Sequence, residues 1–177
     1  YVHSPRIYKH LGSQKVVKGA TKPEIRARTF SMKQVLRSIG SKVISNQSLD
    51  VQDRMMFVKS LLLSRCLHQA DTWRVLGIQE LEMVHGAIMG VYRSVLGLNR
   101  PGVEHVGDDE VLHQLQAMAP KVILTQVCVA LFVRLVILEP LQLLLMLSAV
   151  AENKGSWLHK VYTDLEWLAS FPTFASL

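Results

Sequence analysis

Residues 21–39 read TKPEIRARTFSMKQVLRSI. This stretch decides the fold class, because helix-start chemistry is followed at once by a helical period. Thr21 stands three residues before Glu24, the spacing of a capping box, and Pro23 suits a first helical turn, where a backbone N–H has no intrahelical partner to lose. Ile25, Phe30, Met32, Val35, Leu36 and Ile39 then recur near the 3.6-residue period, with basic residues between them. The pattern predicts an amphipathic helix from Thr21 to about Val43, weakened toward its end by Gly40.

The same punctuation continues downstream. Asp50 and Asp53 sit where a helix dipole favours anions, and they open a second predicted helix over 49–73 with Met55, Val58, Leu61, Leu62, Cys66 and Leu67 on its apolar face. A third is expected from Gln79 to Leu96, closed by Gly97 in the C′ position. Asn99, Pro101, Gly102 and Gly107 mark 98–107 as a loop, after which Asp108 is expected to cap a short helix to about Met118. Pro120 starts another that reaches Leu138, Glu139-Pro140 breaks it, and 141–151 continues. A last amphipathic helix over 156–170 carries Trp157, Val161, Leu165 and Leu168 on one face.

Upstream of Thr21 the helical period fails. Residues 1–20 read as an extended segment or hairpin, with Tyr8 and Leu11 before Gly12 and Val16-Val17 before Gly19. The fold expected is all-α: a multi-helix bundle of about six to seven helices with a short β or extended segment at the N-terminus. Residues 1–20 form the basic extended part and 21–177 one helical domain, with a subdivision near 98–107 left open.

Composition limits the function classes. Of 177 residues, 49% are hydrophobic and 19% charged, which excludes a disordered chain, and two cysteines exclude a disulfide scaffold. Cys66 and Cys128 lie inside apolar runs and read as buried free thiols. Charge is distributed unevenly. Ten of the twenty Lys and Arg residues fall in the first 42 positions, opposed there by Glu24 alone, so that segment carries +9 and the other 135 residues −3. Such asymmetry points to a polyanion, either nucleic acid or an anionic lipid surface. Lys15, Lys18, Lys22, Arg26, Lys33 and Arg37 are placed to line one loop and helix face, where phosphates would be held by Coulomb attraction and counterion release.

Val122 to Leu138 is the most apolar window. A spanning helix needs about 20 mostly apolar residues, this one has seventeen before Glu139-Pro140, and Arg134 inside it would cost about 2.5–3.5 kcal/mol on insertion scales. The Val, Leu, Ile and Phe residues of the window would return about 4–7 kcal/mol on the same scale, so energy does not exclude insertion, but length and the proline break weigh against it. A helix buried in its own fold is expected, ahead of one covered by a partner or by a membrane.

No enzyme chemistry emerges. Gly107-Asp108-Asp109 has the composition of a polymerase metal-binding turn, but that chemistry needs the acids at a hairpin tip beside a further carboxylate. Here a helix start explains the acids. No two of the seven histidines share the i, i+4 spacing of a helical metal pair, and neither cysteine lies in a CxxC motif. Ser64 and Cys66 lack a glycine elbow or a neighbouring base. No catalytic residue, metal ligand or cofactor site is assigned.

The order of residues nonetheless has a family likeness. Tyr8-Lys9-His10-Leu11-Gly12 resembles the Tyr-Lys-aromatic-Leu-Gly signature that ends the palm of reverse transcriptases from non-LTR, LINE-like retrotransposons. Later landmarks are similar in order: Arg26-Ala27-Arg28, Leu63-Ser64-Arg65 with Thr72 and Trp73, Leu81-Glu82 with His85 and Tyr92-Arg93, Asp108 to Val111, Arg134-Leu135, Pro140, Trp157, and Asp164-Leu165 with Trp167-Leu168. The resemblance implies the thumb and downstream helical region, which grips a template–primer duplex. It also implies that the catalytic aspartates belong upstream of Tyr1, so the expectation is a non-enzymatic module. It places Lys9, Lys15, Lys18, Lys22, Arg26, Arg28, Lys33 and Arg37 near nucleic acid. One departure matters: where relatives commonly carry Arg, six residues before Arg134, this chain has Cys128, which makes 122–138 more apolar. The alternative expectation is therefore a scaffold subunit of a larger protein assembly, organellar or membrane-associated, docking through Val122, Leu124, Val127, Leu131, Leu135, Leu141 and Leu144.

Overall fold

The computed structural model describes residues 7–10, 13–16, 21–138, 141–149 and 151–171. Among these the protein is all-α behind a short antiparallel hairpin, in which β1 (Ile7–His10) and β2 (Ser13–Val16) pair from Ile7↔Val16 to His10↔Ser13. Helix α1 spans Lys22–Ile39 and widens into a π-helical turn over Gly40–Ile44, so the predicted end near Val43 holds and the loosening falls on the predicted glycine. Helix α2 (Val51–Phe57) passes through a π-helical segment (Val58–Leu63) into the single turn of α3 (Ser64–Cys66). Then follow α4 (Ile78–Leu96), α5 (Asp108–Leu115), α6 (Pro120–Leu138), α7 (Leu141–Ala149) and α8 (Trp157–Ala169).

Helix ends follow the sequence at some positions and depart from it at others. Asp50 caps α2, its carboxylate accepting from the Gln52 backbone N–H at 2.9 Å. Gly97 adopts φ +75°, its N–H bonding Ser94 O and that of Leu98 bonding Arg93 O, which completes the expected Schellman close of α4. The capping box does not form. Thr21 is itself helical (φ −86°, ψ −24°) and makes no side-chain cap, because a cap hydroxyl reaches the third N–H only from extended backbone. Glu24 instead accepts from Arg28 Nε at 2.6 Å. The second helix stops at Cys66 rather than Trp73, since Gln69 turns left-handed (φ 60°) and a 3-10 turn (Ala70–Thr72) carries Ala70 and Trp73 into a buried setting. Asp108 is the first residue of α5 rather than its cap, which is Gly107, and the helix ends at Leu115 because Gln116 is left-handed (φ 48°).

The chain packs as two compact units, one of Tyr1–His68 with Ile78–Lys121, the other of Gln69–Gly77 with Val122–Leu177, and the 98–107 loop lies inside the first. In the first unit α1, the π-helical segment and α4 share a core of fully buried Ile25, Met32, Val58, Leu62, Val84, Ile88 and Val95. Cys66 belongs to it, and burial pushes its thiol up to about 12, so the thiol stays protonated and inert at neutral pH. Arg54 is also buried, and its Nη1 donates to Val95 O at 2.5 Å, satisfying a carbonyl at the negative end of α4.

In the second unit Leu124, Thr125 and Cys128 of α6, Val161 of α8, and Trp73 and Leu76 are buried. Trp157 donates its indole N–H to Asp71 O at 2.6 Å and packs its ring 6.5 Å from that of Phe132. The expectation that 122–138 is buried in its own fold is corrected. Only 17% of the apolar window of α6 is buried, and Ile137, Leu138, Leu141 and Met146 are each about two-thirds exposed or more. The physical reason is that α6 is apolar all round, so packing along one side leaves its other faces uncovered.

Candidate nucleic-acid interface

Helix α1 turns one side into the core and presents the opposite charge-bearing side outward. Ile25, Thr29 and Met32 are buried, whereas Arg26, Phe30, Lys33 and Arg37 are exposed. With half-buried Lys22, these residues are spaced by four, four, three and four positions. At 100° per residue, such spacings keep all five within about 80° of the helix circumference. Four cations and an aromatic ring thus form one stripe along most of α1. Lys22 is steadied at its head by Nζ donating to Gln79 Oε1 at 3.0 Å.

The sequence places Phe30 among the apolar face residues of this helix, but it is 57% exposed. The signal was present, because the 26, 30, 33, 37 progression sets Phe30 inside the basic row. Arg28 points elsewhere. It is paired with Glu24, both side chains being largely buried (15% and 5% exposed), and it lies off the stripe. Lys9 and Lys15 lie on β1 and β2, opposite Gln14 and Tyr8 in the register. Lys18 falls outside the described residues.

A groove of about 310 Å³ runs beside the stripe, lined by Lys33, Leu36 and Arg37 of α1, by Gly86, Ala87, Gly90, Val91 and Ser94 of α4, and by Asn99. Its openness has a local cause, since nothing lies within 4 Å of where a Cβ on Gly86 or Gly90 would stand. Asn99 fixes the rim by donating to Gly90 O at 3.0 Å and to Ser94 Oγ at 2.7 Å. Both glycines sit inside α4 with helical backbone, so alanine fits either position. Gly86→Ala is expected to stabilise the fold by about 0.5–1 kcal/mol, read as a raised denaturant midpoint with an unchanged slope.

The acidic turn is spent on structure. Asp108 bonds His85 Nε2 at 2.6 Å and also Arg93 Nη2, tying the start of α5 to α4, while Asp109 and Glu110 are exposed. The hydrogen bond with His85, helped by Arg93, holds the Asp108 carboxyl below its ordinary value against the opposing effect of burial. A carboxyl depressed in the folded state contributes stability above its unfolded pKa of about 3.9, and that contribution is lost as pH falls through the lower folded value. Acid titration followed by amide shifts of α5 is expected to show the α4–α5 contact loosening below about pH 4, and Asp108→Asn is expected to remove that step. Among the described residues no three His, Cys, Asp or Glu side chains gather for a metal ion.

The apolar residues assigned to docking are distributed unevenly. Leu124 is in the core, Val122, Val127, Leu131, Leu135 and Leu144 are half-buried, and Leu141 is exposed. Beside them α6 and α8 leave an apolar groove of about 420 Å³ between Phe132, Leu158, Val161, Tyr162 and Leu165. Cys128, at the position where Arg was expected, is fully buried, and burial raises its thiol pKa although Lys160 partly offsets this. Lys160 pairs with Asp164 at 2.8 Å. Comparison with known protein families, with curated proteins and with solved structures returns no match.

Proposed function

We propose that this protein is a non-enzymatic helical module that binds the backbone of nucleic acid through α1, in the manner of the retroelement thumb region whose landmarks it resembles. The observation that carries the reading is the single stripe of Lys22, Arg26, Lys33 and Arg37, which has no acid between its members on the exposed side of α1. Coulomb attraction to a polyphosphate needs no base-specific contact, so binding is independent of sequence and falls steeply with salt. The test is anisotropy titration of the full chain against a labelled duplex and an RNA–DNA hybrid at low salt. Absence of binding to both overturns the reading.

A second reading is favoured by the largely uncovered apolar surface of α6 and α7. In it the chain is a subunit of a larger assembly, docked through α6 and α7. Helix α6 has 19 residues and a mean hydropathy of 2.2, long and apolar enough to cross a membrane, so a bilayer or an apolar protein surface would each suit it. A chain that stays soluble and monomeric without detergent argues against this reading.

A further inference from the structure

We infer that the α1 stripe is a single-strand site, in which Phe30 stacks an unpaired base while the flanking cations hold the phosphates on either side of it. This rests on the backbone-binding reading above and names the form of nucleic acid that the site takes. Three observations point the same way. Phe30 is 57% exposed and shares the outward side of α1 with the basic row, so its ring face is open to solvent among the cations. Along its own helix it is flanked by charge of one sign, with Arg26 four residues before it and Lys33 and Arg37 three and seven after. At 1.5 Å rise per residue these lie about 6 Å behind the ring and about 4.5 and 10 Å ahead of it along the helix. A protein partner would need acids at each of these places and an apolar patch between them. A single strand supplies both at once, since every base has a π face and every linkage a charge.

The surroundings suit a strand better than a duplex. The groove beside Lys33 and Arg37 is floored by Gly86 and Gly90, whose missing side chains leave room for a chain lying close to the α4 backbone. A base within a duplex is already stacked on both faces, so Phe30 gains nothing from it without unpairing, and duplex affinity there rests on charge alone.

The test compares a labelled oligo(dT) of about 20 nucleotides with a blunt duplex of the same length, using the full chain as wild type, Phe30→Ala and Phe30→Trp. Phe30 is exposed, and unchanged thermal unfolding verifies that the variants fold. Wild type is expected to bind the single strand more tightly. Phe30→Ala is expected to weaken single-strand binding about tenfold, leaving duplex affinity and the salt slope unchanged. Phe30→Trp is expected to restore affinity, with added indole emission that the single strand quenches and the duplex does not. Equal loss for both ligands, or no loss for either, overturns the stacking role while leaving the charged stripe standing. If wild type binds neither ligand at low salt, the underlying reading falls with it.

Discussion

Reversing Lys22, Arg26 and Lys33 together to glutamate is expected to abolish nucleic-acid binding at physiological salt and to weaken it at least about 100-fold at low salt. The magnitude follows from counterion release. Four cations on four phosphates give a slope of about −3.6 in log affinity against log salt on a duplex, or about −2.8 on a single strand. Raising salt from 50 to 200 mM should therefore cost wild type roughly 50- to 150-fold. The triple variant removes three of those contacts, so the slope should flatten by about three as the affinity collapses. Arg26 and Lys33 are exposed and Lys22 loses one bond to Gln79, so folding should change little. Arg28→Ala is the informative control. Its guanidinium is engaged with Glu24, so its removal should lower stability and leave the salt slope where it was. A triple variant that binds like wild type would falsify the interface.

Ile88→Ala is expected to destabilise the protein by about 3 kcal/mol, measured by urea unfolding at constant slope. Ile88 is fully buried at the middle of α4, the helix that α1 and the second helix pack against. Truncating such a side chain removes its transfer free energy and leaves a cavity that the neighbours fill incompletely, a combination that costs about 2–5 kcal/mol for Ile to Ala. That is a large share of the roughly 5–15 kcal/mol that holds a domain folded. Binding by the fraction still folded should be unchanged, since Ile88 is fully buried and belongs neither to the stripe nor to the lining of the groove beside it. A loss under about 1 kcal/mol would show that α4 is not the packing centre of its unit. The two variants therefore separate the core from the interface: one changes stability with little effect on affinity, the other the reverse.

Helix positions were legible where a local chemical signal decides them. Pro23 with the apolar period fixed α1, Asp50 fixed the start of α2, and Gly97 fixed the end of α4, because each acts on backbone within a few residues. Misreadings fall where a side chain had two partners to choose between. Glu24 could cap its own helix or pair with Arg28, and the buried pair won. Asp108 could cap α5 or bond His85 and Arg93, and the bonds to α4 won. Trp73 could extend a helix, but burial with 69–77 in the second unit ended the helix at Cys66.

The basic half of the candidate site was legible as charge and became a surface only through the fold. The count of +9 over 42 residues is a property of composition, and it treats Arg28 and Arg37 alike. Packing distinguishes them, because the helix rotation that buries Ile25 and Met32 carries Arg28 into a pair with Glu24 and leaves Arg37 in solvent. The same rotation exposes Phe30, which hydrophobicity alone assigns to the core. By itself, then, the sequence determined an all-α chain with a cationic front and an apolar 122–149, since periodicity and charge are written residue by residue. Only the tertiary structure decided that the face carrying these cations and Phe30 is the exposed one, that Arg28 is withdrawn from it, and that α6 is mostly uncovered. Those depend on which side of each helix finds a neighbour, and no local signal records that.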